Sequence, residues 1–173
     1  ANGAKVVVND LGGLEDGSGA DSSPADKVVE QIKSMGGEAI ASYASVTDWD
    51  AAHEIVDVAV NYFGRIDCVV NNAGNLRDAI FHKMTEKDFD SVINVHLKGT
   101  FNVSRAAATH FRAQTSGCFV NMTSTSGLIG NFAIITLLGV TGGVLGMIVQ
   151  AIYSIGNKTK NYKNNFEHKD KTW

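Results

Sequence analysis

A chain of 173 residues is long enough for one domain with a hydrophobic core and too short for two. Apolar residues at 44% and charged ones at 19% describe a globular domain, not a disordered or fibrous chain. A net charge of −3 gives no basic footprint for nucleic acid or an anionic membrane, so neither is expected as a partner. The two cysteines, Cys68 and Cys118, each sit in a short apolar run. They are read as small buried thiols rather than a disulfide or redox pair, in a reducing, intracellular compartment. The chain starts without the pattern of a cleavable signal peptide, and Lys171-Thr172-Trp173 is no familiar targeting tripeptide. No metal site is expected.

Lys5 to Asn9 (KVVVN) is a β-branched run bounded by Gly3 and by Asp10-Leu11-Gly12-Gly13, which predicts a buried strand. After a glycine-rich acidic loop, Ser23 is placed as an N-cap with Pro24 at the first helical position. Val28, Val29, Ile32 and Met35 then recur at helical spacing until Gly36-Gly37. The alternation repeats. Glu38 to Tyr43 is a strand candidate, and Trp49 to Phe63 is a helix with Ala52, Ile55, Val56, Ala59, Val60 and Phe63 on one face. Gly64 ends that helix, and Ile66 to Val70 is a third buried strand. Thr85 and Asp88 resemble a capping box before a long helix to about Phe111, and Cys118 to Met122 is a fourth strand. An apolar, glycine-dotted stretch runs from Leu128 to Ile155, and a lysine- and asparagine-rich segment without periodicity closes the chain. The domain is therefore set at 1–156 and a polar, disordered tail at 157–173.

Apolar strands alternating with helices imply parallel strands covered on both faces, with ligands at the strands' carboxyl ends. Gly12 to Gly19 sits between a strand and a helix, as a phosphate loop would, but it lacks a third glycine. Asp10, Glu15, Asp16 and Asp21 would also crowd carboxylates around a pyrophosphate. Asp10 fits better as the carboxylate at the tip of a second Rossmann strand, which reads a ribose hydroxyl. Taken alone, it could equally open a turn.

Asn71-Asn72-Ala73-Gly74 follows the third strand, where small residues let backbone approach a cofactor and asparagine amides can tie strand ends together. It comes after Phe63-Gly64-Arg65-Ile66-Asp67 and before Leu76-Arg77-Asp78. Downstream are His96-Leu97-Lys98-Gly99-Thr100-Phe101 and Met122-Thr123-Ser124-Thr125-Ser126-Gly127. This ordered set resembles the short-chain dehydrogenase/reductase family. The opening KVVVNDLGG, the helix ADKVVEQIKSMGGEA and Ile129 to Phe132 resemble its (3R)-hydroxyacyl-CoA dehydrogenase branch, found in peroxisomal multifunctional β-oxidation enzymes.

The resemblance implies a Rossmann-like three-layer α/β sandwich with a parallel sheet, missing the first strand and its glycine loop. It implies NAD as cofactor, with Asp10 on the adenosine ribose and Ser45 and Val46 at the adenine. Asn72, Ala73 and Gly74 would border the cofactor's ribose and phosphate. Ser124 matches the serine that hydrogen-bonds the substrate oxygen. His96 stands where many members place an asparagine that holds a proton-relay water. An acyl-CoA-type substrate, a peroxisomal location and pairing into a homodimer through the helix after the serine loop follow from the same resemblance.

The chain departs from that pattern twice. Extended without gaps from Gly130-Asn131-Phe132, the match puts Leu137 and Thr141 where the family has its acid/base tyrosine and the lysine four residues on. Losing a positioned acid/base costs about 10²–10⁴-fold in rate. The absent first strand belongs mid-sheet, so the strands at Lys5 to Asn9 and Ile66 to Val70 are expected to pair directly. Two other readings stay open. The chain can be a degenerate homologue that serves as a dimerisation or binding module. Alternatively, the uncharged run from Phe132 to Tyr153, with small-xxx-small glycine spacing, can anchor it in a membrane, although Thr136, Thr141 and Gln150 weigh against that.

Overall fold

The computed structural model describes residues 3–14, 18–19, 21–77, 79 and 81–123. Ser124, Leu137, Thr141, the uncharged stretch at 132–153 and the tail at 157–173 lie outside the described residues, as does the domain boundary at 156. In chain order the elements are β1 (Lys5–Asn9), α1 (Ser23–Ser34), β2 (Glu38–Ser42), α2 (Trp49–Phe63) and β3 (Cys68–Asn71). A 3-10 turn (Phe81–Lys83), α3 (Glu86–Ile93), a π-helical segment (Asn94–Gly99), α4 (Thr100–Gln114) and β4 (Cys118–Asn121) follow.

Local chemistry sets most of the boundaries. The Asp48 carboxylate accepts from Ala51 N–H at 2.8 Å to cap α2, and Gly64, at φ 83°, ends it in the left-handed conformation that glycine adopts without strain. The first helix begins differently from its sequence reading. Ser22 holds the cap position without a side-chain cap bond, and the Asp21 carboxylate takes the Ser23 N–H at 2.9 Å, so Ser23 is the first helical residue. Val28 and Met35, assigned to the apolar face, are exposed, while Ala25 and Val29 carry the burial. Thr85 and Asp88 form the reciprocal capping box at the start of α3. The long helix read beyond it is two α-helices joined by the π-helical segment.

The four strands form two parallel ladders, β1 with β2 and β3 with β4. β1 and β3 are not hydrogen-bonded to each other, which corrects the expected direct pairing. The ladders are joined instead through helices. Ala52, Val56 and Ala59 of α2 and Val103, Ala106 and Ala107 of α4 form one core with Ile66 and Val69, and Val7 of β1 and Phe119 of β4 pack against it. Burial of this apolar surface holds the two ladders on a common helical layer without a ladder bond between them.

Alternation along the strands decides what lies on the other face. In the first ladder, Ala39 points away from the α2–α4 core and is buried beside α1, so that half has helices on both faces. In the second ladder Val69 takes the core side, and Cys68, Val70, Cys118 and Val120 are exposed on the opposite face. The thiols expected inside are therefore exposed. Among the described residues no helix is long and apolar enough to cross a membrane.

The capping box has a pH signature. The Thr85 side chain, bonded at 2.5 Å, is the largest cause holding the Asp88 carboxyl below its usual 3.8, with further help from the Thr85 N–H and the nearby Arg77 and Lys87. A carboxyl with a depressed folded pKa contributes stability that is complete above its unfolded value and is lost as pH falls through the folded one. The Thr85→Val variant should raise the Asp88 pKa toward the ordinary carboxylate range in an NMR titration, and should fray the first turn of α3 in hydrogen exchange.

Candidate functional site

The carboxyl ends of three strands carry side chains that fasten the exit loops. Asn9, the last residue of β1, accepts from Ser42 Oγ at 2.8 Å and from Ala44 N–H at 3.1 Å, and its Nδ2 donates to Ala44 O at 3.1 Å. One asparagine amide thus fixes both the β2 end and the loop leaving it. Asp10 follows at the tip, exposed. Its Oδ1 accepts from Gly12 N–H at 2.7 Å, which turns the chain sharply and holds the carboxylate at the edge. Asp10 thus opens a turn, and its carboxylate is exposed at the carboxyl edge of the ladder.

The β2 exit loop holds Ser45 and Val46. The Ser45 hydroxyl is 2.9 Å from Thr47 Oγ1 and accepts from Thr47 N–H at 3.3 Å. Val46 O accepts from Asn102 Nδ2 at 3.0 Å. Asn102 stands on α4 and is 1% exposed. A Cβ at Gly99, one turn earlier, would sit 2.6 Å from the Val46 side chain, so a glycine is what lets this loop meet the helix.

The same rod of helix reaches the next loop. His96 lies in the π-helical segment, a wide turn that is rare and often found at functional sites. Its Nε2 is 3.1 Å from Asn75 N and 2.9 Å from Asn75 O. A single ring nitrogen can accept from the amide or donate to the carbonyl, never both, so the tautomer of His96 decides which group of residue 75 is satisfied. A Cβ at Gly74 would fall 2.8 Å from His96 Cε1, so the glycine admits the ring. Asn72, Ala73 and Gly74 are exposed along this edge. Asn71, ahead of them, donates to Asn121 Oδ1 at 2.8 Å and Ser104 Oγ at 3.0 Å, and its carbonyl accepts from Met122 N–H at 3.1 Å. That ties β3 to β4 and to α4, two residues before Ser124.

A connected arc results. It runs from Asp10 through the Asn9 clamp to Ser45 and Val46, then through Asn102 and Gly99 to His96 and the Asn72–Gly74 turn. Seven of the eight residues proposed from sequence, all but Ser124, lie on it.

A family model described as short chain dehydrogenase matches residues 17–137. The chain belongs to that family. It is 50% identical over 146 residues to a short-chain type dehydrogenase/reductase of Mycobacterium tuberculosis, a match covering 84% of this chain and 51% of that protein. It is 47% identical over 147 residues to the peroxisomal hydratase-dehydrogenase-epimerase of Saccharomyces cerevisiae, covering 85% of this chain and 16% of that one. The chain thus spans about half the length of the first relative and far less of the second. The structure of a 7α-hydroxysteroid dehydrogenase complexed with NADH and 7-oxo glycochenodeoxycholic acid superposes with a TM-score of 0.76, covering 90% of this chain and 57% of that one. At 24% identity that likeness establishes the Rossmann-type α/β fold of the family and no more.

Sequence reasoning left Asn9, Asn75 and Asn102 unassigned. Asn102 had a signal, since asparagine is a poor helix former and it sits beside Val103 inside an otherwise periodic segment. Asn75 had none. It is 6% exposed, its Nδ2 donates to Ser91 Oγ at 2.8 Å, and its Oδ1 is buried without a hydrogen-bond partner among the described residues.

Two variants separate these roles. Asn102→Ala leaves Val46 O without its partner and should cost about 1–3 kcal/mol in chemical denaturation. Asn75→Leu removes an orphaned acceptor together with the donor to Ser91 Oγ, so the two effects should offset and leave stability within about 1 kcal/mol of the wild type. The His96 contact, made to the backbone of residue 75, should survive it, as read from the imidazole resonances.

Proposed function

We propose that this chain binds NAD along the carboxyl edge and carries the cofactor-side half of a short-chain dehydrogenase site. The observation that supports this reading best is the connected arc, which presents a carboxylate, a loop and a small-residue turn in the order the cofactor's parts require. Asp10 would accept from the adenosine ribose hydroxyls with a carboxylate that would repel a 2′-phosphate. Ser45 and Val46 would flank the adenine, and Asn72, Ala73 and Gly74 the ribose and phosphate beyond it. The fit rests on what is described: exposed residues at 72–74, a carboxylate held at the β1 tip, and glycines at 74 and 99 where a Cβ would collide with His96 and Val46.

The substrate class in this reading is a (3R)-3-hydroxyacyl-CoA, oxidised to the 3-oxo thioester, in a peroxisomal setting. The name of the yeast relative, a peroxisomal hydratase-dehydrogenase-epimerase, supports it. NAD, when bound, supplies the hydride acceptor. Of this chain's own residues, Ser124 would hold the substrate oxygen by a hydrogen bond, and His96 would orient a proton-relay water beside the 74–75 turn. The hydroxyl proton needs a base, and Leu137 and Thr141 stand at the positions of tyrosine and lysine. Leucine exchanges no proton and threonine brings no positive charge, so we assign binding without appreciable turnover to this sequence.

Calorimetry tests the reading. The chain should bind NAD, and Asp10→Ala should weaken binding about tenfold to a hundredfold, the loss of hydrogen bonds to a charged acceptor. Addition of 3-hydroxyacyl-CoA and NAD should give no NADH absorbance above background. Absence of any NAD binding by the wild-type chain would remove the cofactor reading, and steady NADH formation would remove the assignment of inactivity.

A further inference from the structure

Hydrogen-bond parity shows which strand edges are unpaired. In a parallel ladder, alternate residues of a strand turn both backbone groups toward one neighbour. Asp10 N–H donates to Ser42 O at 3.0 Å, so Val8 and Val6, two and four residues earlier, also face β2. Lys5, Val7 and Asn9 therefore turn their backbone groups away from β2. In the second ladder Cys118 N–H donates to Asp67 O at 3.0 Å and Met122 N–H to Asn71 O at 3.1 Å, so Asp67, Val69 and Asn71 face β4. Cys68 and Val70 turn theirs to the other side. Among the described residues, the backbone groups of Val7, Cys68 and Val70 on these two edges have no partner.

The two edges face each other. Val7 of β1 and Val69 of β3 reach the core that α2 and α4 share, and among the described residues none of β2 does. β1 lies against α2 and β3 against α4, while β1 and β3 have no comparable contact with one another. Helices packed side by side lie about 8–10 Å apart. Two strand spacings come to about 9.6 Å. The separation set by α2 and α4 thus admits one further strand between β1 and β3, on an apolar layer that includes Val56, Ala59, Val103 and Ala106. Two facing rows of amide and carbonyl groups, repeating at every second residue, match one kind of ligand: a chain that turns alternate backbone groups left and right. An α-helix spends those groups on itself, and a small molecule does not span both rows.

We propose that β1 and β3 form a strand-acceptor slot that binds an extended, β-branched peptide as a strand shared by both ladders. Alternate side chains of the peptide rest on the α2–α4 layer, so apolar residues are wanted at every second position and proline at none. The pairing needs no cofactor, so its failure leaves the reading of NAD binding untouched.

The probe is a fluorescein-labelled peptide, Lys-Val-Thr-Val-Thr-Val-Lys, titrated with the full chain and read by anisotropy. Two derivatives carry N-methyl groups, one on its valines and one on its threonines. A strand held between two neighbours uses both sets of N–H groups, so each derivative should bind about tenfold more weakly or worse. A strand added to the outer edge of β2 or β4 uses one set, and loss with one derivative alone overturns the proposal. So does the absence of saturable binding by the parent peptide. Hydrogen exchange locates the contact: the amides of Val7, Cys68 and Val70 should slow about tenfold or more when the peptide is added. Slowing confined to Ala39, Ala41, Phe119 and Asn121, whose amides face outward from the two ladders, refutes the slot. Protection of Val7 and Val70 before any peptide is added also refutes it. Its dependence on protein concentration then separates a second copy from another part of this chain as the occupant.

Discussion

Alanine at positions 52, 59, 106 and 107 lets α2 and α4 lie close, and everything else in the described structure hangs on that contact. With Val56 and Val103 between them, these small side chains make a helical layer that takes Val7 from one ladder and Val69 and Phe119 from the other. The layer is apolar burial without direction, so it sets distance but not register. Register comes from the polar fastenings at its rim. Asn102 joins α4 to the loop after β2, and Asn71 joins β3 to β4 and to Ser104 on the same helix. The fold thus divides its labour between a nonspecific layer and a few amides that fix the loops leaving the strands.

Those amides explain why the carboxyl edge can be both open and ordered. Asn72, Ala73 and Gly74 are exposed, yet the residue before them is held by two side-chain bonds and the residue after them by His96 and Ser91. A loop anchored at both ends can offer its backbone to a ligand with little ordering left to do, which is the condition for binding without a large entropic cost. The same holds for Ser45 and Val46, between the Asn9 clamp and Asn102.

Much of this was legible in the sequence because it rests on local pattern. The span of α2 follows from period and from Gly64, and the Thr85–Asp88 box from its spacing. Asp10 and the Asn72–Gly74 turn were found through the strands they follow. The misses have nonlocal causes. Direct pairing of β1 with β3 was argued from the need to satisfy strand edges, but shared burial against α2 and α4 joins the ladders without a bond between those strands. Cys68 and Cys118 were assigned to the interior from their apolar flanks, whereas strand alternation gave Val69 the inner position. Their adjacency is a fact of ladder register, invisible across fifty positions of chain. Asn75 satisfies no local rule, and its buried oxygen has no physical account among the described residues.

The π-helical turn at Asn94–Gly99 has a geometric effect beyond carrying His96. An α-helix advances about 100° per residue, so two α-helices joined in phase would share one continuous stripe. A wider turn between them breaks that phase and lets α3 and α4 be clocked independently, like two gears on a shaft with a slip between them. Ser91 can then face the Asn75 amide while Asn102 faces the Val46 carbonyl and Ala106 the core. Three surfaces with different partners are served by one stretch of chain. The arrangement turns a single rod into the index that sets two loops relative to one another.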